Sequence, residues 1–133
     1  MTMFNTRLRD IAVQIGDAAA GANETELITN LDGLTFLPGG AKLTVSSAVT
    51  ANDTNYATLT IKKNGTSIGA ITTQTSGSGG TGDIAARGSA TIALTAGVSI
   101  DTDDIITVEK TYAGSGHALA GEVKLYDCMA IRQ

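Results

Sequence analysis

A chain of 133 residues with a formal net charge of −4 is long enough for one packed domain and too poor in basic residues for a nucleic-acid partner. Its one cysteine, Cys128, excludes an intrachain disulfide and a cysteine-built zinc site, and no apolar run approaches the length of a membrane span. Sixteen glycines, one proline, few aromatics and many Thr, Ala and Ser describe a β protein with small side chains and frequent turns.

The N-terminal MTMFNTRLRD lacks the apolar stretch of a secretory signal. It reads as a polar arm over residues 1–10, carrying Phe4, Arg7 and Arg9, ahead of a single domain over 11–133. Residues 8–16 are ambiguous. Leu8, Ile11, Ala12 and Ile15 fit a helical period, whereas Ile11, Val13 and Ile15 fit strand alternation, and the β-rich remainder favours a strand over 11–16. Asp17 to Thr25 reads as a loop, Glu26 to Asn30 as a short strand, and Leu34, Phe36 and Leu37 as an apolar patch before the Pro38-Gly39-Gly40 turn.

The stretch from Ala41 to Thr73 has the clearest local pattern. Ala41 to Ser47 alternates, with Leu43 and Val45 on one face and Lys42, Thr44 and Ser46 on the other. Residues 51–55, ANDTN, form a bend of the kind in which Asn and Asp bond their own backbone. Asn64-Gly65 then predicts a two-residue type I′ hairpin, since both central positions need positive φ. The register that follows faces Lys63 with Thr66, Lys62 with Ser67, Ile61 with Ile68, Thr60 with Gly69 and Leu59 with Ala70. It puts Leu59, Ile61, Ile68 and Ala70 on one buried face. Lys62 and Lys63 read as solvated charge beside the turn.

Gly77, Gly79 and Gly82 match the spacing of a dinucleotide-binding glycine motif. That motif needs a helix after it to hold pyrophosphate, and the following GSATIAL reads as a strand over Ser89 to Leu94. Ile105 to Thr111 and Leu119 to Asp127 are the last clear strands, and the tail through Met129 and Ile131 extends the second of them. Cys128 reads as a small buried hydrophobe.

No catalytic constellation is visible. His117 is the only histidine, lies in a small-residue loop and has no nucleophile elbow to serve. Asp101, Asp103 and Asp104 cluster beside a turn without the glycine and distal Glu of a calcium loop, and their type leaves calcium open. The sequons at Asn23, Asn52 and Asn64 carry no weight without a secretory signal. The expected fold is all-β: a single-domain antiparallel β-sandwich, jelly-roll-like, of about seven or eight short strands. No catalytic, cofactor or metal site is assigned, and the chain is not expected to be an enzyme.

The stretches SSAVTANDTNYATLTIKKNG (46–65) and IDTDDIITVEKTYAGSGHAL (100–119), with the polar Gly/Ser loop between them, resemble small virion proteins of tailed bacteriophages. These are head decoration, or cement, proteins. The resemblance implies a jelly-roll or related sandwich made in the host cytoplasm and bound, as a trimer, to the major capsid protein on the outer surface of the virion. Its role there is to lock the shell mechanically. No membrane or nucleic acid is implied. The residues expected to meet partners are Phe4, Arg7 and Arg9 of the arm and Asn52, Asp53, Asn55 and Asn64 at loop tips. The alternative is a β-sandwich module of a phage fibre, spike or tail that binds host glycans, for which Tyr56, Tyr112 and Tyr126 are the available stacking rings.

Overall fold

The computed structural model describes residues 7–16, 24–29, 33–75, 79–115 and 118–132, with the side chains of 7–9, 24–29 and 132 left aside. These residues form nine strands: β1 Arg7–Ile15, β2 Glu24–Thr29, β3 Leu34–Leu37, β4 Gly40–Val45, β5 Tyr56–Lys63, β6 Thr66–Thr72, β7 Ser89–Ile92, β8 Ile105–Ala113 and β9 Gly121–Arg132. One sheet runs β1-β9-β4-β7, with β3 beside the far half of β9; the other runs β2-β8-β5-β6. Every named strand pair is antiparallel. The fold is an all-β sandwich.

The core follows from alternation. β4 and β5 bury every second residue, and Leu43, Val45, Leu59 and Ile61 are essentially inaccessible. They meet Ile92, Ile106, Val108, Val123 and Leu125 from both sheets in one apolar cluster. Burying each such side chain contributes about 1.5–3 kcal/mol.

The ambiguous segment near the N-terminus is a strand. β1 half-buries Ile11 and Val13 and buries Ile15, while Ala12 and Gln14 face water. It starts at Arg7, so residues 7–10 of the expected arm lie in a strand, with Arg7, Leu8 and Arg9 paired to β9, because β9 continues far enough to hold them. Residues 1–6, with Phe4, lie outside the described residues. The apolar patch at 34–37 is a strand for the same reason: β9 runs on past β4 and pairs β3 from Leu37 opposite Met129 to Leu34 opposite Arg132.

Strand β9 is the spine of its sheet, and it bends once. Asp127 adopts φ 50°, and the register with β1 slips between Arg9 and Ile11. The inward set changes there from Val123 and Leu125 to Cys128 and Ala130, as one inserted residue requires. Both neighbours fit the bulge. Asp10 Oδ1 accepts the Asp127 N–H at 3.1 Å, and the Gly39 N–H donates to Tyr126 O at 3.0 Å. The Tyr126 ring lies across Gly40, where a Cβ would overlap it.

The hairpin forms as expected at its tip and departs further down. Asn64 and Gly65 have φ of 51° and 85°. Lys63 faces Thr66 and Lys62 faces Ser67, but a bulge at Ile68 then shifts the pairing, so that Ile61 meets Gly69, Thr60 meets Ala70 and Leu59 meets Ile71. Ile71 therefore takes the buried place expected for Ala70, which is exposed, while Ile68 stays buried. The cause lies across the sandwich edge. The Thr95 N–H bonds Ile68 O at 2.8 Å, and a Cβ on Gly69 would stand 2.8 Å from Ala93 O.

Candidate functional site

Of the residues expected to meet partners, Asn52, Asp53 and Asn55 fall at one end of the sandwich and Asn64 at the other. At one end lie residues 46–55, 73–75 and 79–88 with the turn after β8. Asn52 Oδ1 accepts the N–H groups of Thr54 and Asn55 at 2.8 and 2.7 Å, a side-chain-built turn. Asp53 accepts the Thr75 N–H at 2.9 Å and the Thr75 hydroxyl, and these bonds hold its carboxyl below the usual aspartate value. Asn55 Oδ1 accepts from Ser115 N and Oγ at 2.8 and 3.0 Å. Asp83 Oδ1 accepts the Ala51 N–H at 2.8 Å, beside a two-way backbone bridge between Val49 and Ile84. The side-chain oxygen of Asn52 thus shapes its own bend, while those of Asp53 and Asn55 tie that bend to two other loops.

At the opposite end the same holds for Asn64. Its Oδ1 accepts the Ile105 N–H at 2.9 Å, its Nδ2 donates to Asp104 Oδ1 at 2.8 Å, and its backbone N–H bonds Ile105 O at 2.8 Å. The bond from Asn64 is the main reason that the Asp104 carboxyl lies below its usual value. Lys63 pairs with Asp104 at 3.4 Å and donates to Ser99 O at 2.6 Å, while Lys62 pairs with Glu109 at 3.1 Å. Both lysines are partly covered braces, and not the freely solvated charges expected.

Two of the three aspartates for which calcium was left open, Asp101 and Asp104, are drawn into this brace. Asp101 Oδ1 accepts the Thr35 hydroxyl at 2.8 Å, and Asp104 Oδ2 accepts the Asp101 N–H at 2.8 Å. Asp103 is exposed at φ 71°. Among the described residues no group of three or more His, Cys, Asp and Glu is placed to hold a metal. The segment after Gly79 and Gly82 continues into β7 with no helix, so the glycine spacing lacks the element its chemistry requires. Arg7 and Arg9 lie in β1 opposite Ala130 and Cys128. His117 and residues 76–78 lie outside the described residues.

Sequence reasoning passed over Lys110. This side chain is fully buried on β8, where its ammonium donates to Leu119 O at 2.8 Å and to Gly16 O, with the Tyr112 ring centroid 5.5 Å away. It joins the ends of β1 and the approach to β9 from inside the sandwich. A signal was present: Ile106, Val108 and Lys110 share one parity, so Lys110 must face inward. Cys128 is fully buried, and burial, with Asp10 and Asp127 nearby, pushes its thiol up to about 11.

One open cleft of about 300 Å³ lies between the edges of β6 and β7, under residues 79–84. Ile71, Ile84 and Ala90 line it, with Thr81, Asp83, Ser89 and Thr91 as its polar groups, and among the described residues no aromatic ring lines it. Tyr126 and Tyr112 are engaged with Lys42 and Lys110. Among the described residues no helix is long and apolar enough to cross a membrane. Comparisons with protein-family models, curated proteins and solved structures return no match.

Proposed function

We propose that the protein is a structural virion protein: a decoration, or cement, protein that binds the outer surface of a tailed-phage head and stabilises it. The observation that carries this reading is the order of strand pairing. The first strand pairs with the last, β2 with β8, β4 with β7 and β5 with β6, as in one long hairpin folded over on itself. Such nested pairing supports a jelly-roll reading of the sandwich, an architecture used in viral capsid and lectin domains. Polar loop residues spent on internal bonds suit a rigid block whose use is mechanical. In this reading the partner is the major capsid protein, the assembled copy is a trimer, and no catalytic step is involved.

The lectin side of that architecture gives a second reading, a fibre, spike or tail module for host glycans. The cleft between β6 and β7 favours it, with Asp83, Ser89 and Thr91 as hydrogen-bonding groups. Two of the three tyrosines are engaged within the fold, which leaves that reading short of stacking rings.

Co-sedimentation with purified capsids that lack the protein separates the two. Saturable binding to the shell, with none to host cells, is the expected result. Binding to host cells or glycan arrays, with none to capsids, contradicts the proposal.

A further inference from the structure

We infer that Asn64 is a site of spontaneous deamidation gated by the fold, through the hydrogen bonds that tie the hairpin tip to the start of β8. The chemistry needs only solvent. The Gly65 backbone nitrogen loses its proton to base and attacks Asn64 Cγ; the side-chain nitrogen leaves as ammonia, and a five-membered succinimide forms. Water then opens either carbonyl, giving aspartate or isoaspartate. Glycine next in sequence favours attack, because no side chain obstructs its nitrogen. Asn64 and Gly65 are both exposed at the turn.

In the folded protein the carboxamide is not free to swing onto that nitrogen. Its oxygen is held by Ile105 N–H at 2.9 Å, its nitrogen by Asp104 at 2.8 Å, and the Asn64 backbone N–H is bonded to Ile105 O at 2.8 Å. Asp104 is itself fixed by Lys63 at 3.4 Å and by the Asp101 N–H. Reaction therefore waits on local opening of the tip from the 101–105 segment. The product does not re-close equally well. A carboxylate replaces the amide donor facing Asp104, like charges meet, and the formal net charge goes from −4 to −5 as one neutral group becomes an anion. Isoaspartate also adds a backbone carbon to a turn that needs two consecutive positive φ values. The site works as a clock that records how long the hairpin tip has spent open.

The test is peptide mapping by mass spectrometry after incubation in mildly alkaline buffer, following amide-to-acid conversion at Asn64 in the folded chain and in the chain unfolded by urea. The folded protein is expected to react at least about tenfold more slowly than the unfolded one. Asp104→Ala, checked as folded by circular dichroism, is expected to react faster than the parent; Asp104→Asn, which keeps an acceptor for Nδ2, stays near the parent rate. Equal rates in folded and unfolded chains overturn the inference. So does an Asp104→Ala rate no faster than the parent, or the lack of conversion at Asn64 in the unfolded chain.

Discussion

Lys110 shows how a charged residue can belong to a core. Its ammonium is covered, and the backbone oxygens of Gly16 and Leu119 receive it. Lys110→Met keeps most of the aliphatic stem and removes the donor that those carbonyls accept. The expected loss is about 1–3 kcal/mol by urea unfolding. A variant as stable as the parent would show that the buried donor is dispensable. Parity alone puts Lys110 inside; what parity does not supply is the pair of carbonyls, because they arrive from the ends of two other strands. The same limit applies to Asp53, Asn55 and Asn64, whose partners Thr75, Ser115 and Asp104 are distant in sequence, whereas Asn52 bonds Thr54 and Asn55 of its own bend, as the run of Asn and Asp there led one to expect.

Two of those braces titrate. Asp53 and Asp104 both have folded-state values lowered from the ordinary one, chiefly by hydrogen bonds from Thr75 and from Asn64. A lowered carboxyl stabilises the fold at pH above the unfolded value, and that contribution is lost as pH falls through the folded value. Stability is therefore expected to be flat near neutrality and to decline below about pH 4. Thermal melts of the parent against Asp53→Asn, which removes one of the two groups, check this: the variant should show the shallower acid decline, and equal slopes would contradict the assignment.

At the level of elements, alternation was enough to place β4, β5 and β8 and to put Leu43, Val45, Leu59 and Ile61 in the core. The turn at Asn64-Gly65 was also legible, because its chemistry is local. The bulges at Ile68 and Asp127 were not. Each answers a demand from another strand: the first lets the Ala93–Thr95 segment close on β6, and the second lets β9 serve β1 on one side and both β3 and β4 on the other. Gly69 marks the first demand. Gly69→Ala brings a Cβ against the Ala93 carbonyl, which is backbone and cannot turn aside. A loss of about 1–3 kcal/mol in urea unfolding is expected, and a neutral outcome would mean that the β6–β7 edge is looser than its geometry implies.

For the whole molecule, the sandwich class follows from composition and strand count, whereas the nested pairing does not. Periodicity says which face of a strand is buried and leaves its neighbours unspecified. The pairing of β1 with β9 joins residues near the two ends of the chain, and only the folded topology reveals it. In the proposed role, a sandwich braced at both ends by side chains such as Asn55 and Asn64 is the block added to a capsid lattice. A partner that binds the assembled shell and not its dispersed subunits stabilises the shell by mass action. The direct measurement is calorimetry of capsids lacking the protein, scanned with increasing amounts of it added back. A saturable rise in the temperature of shell disruption is expected; an unchanged transition at saturating protein would contradict the cement role.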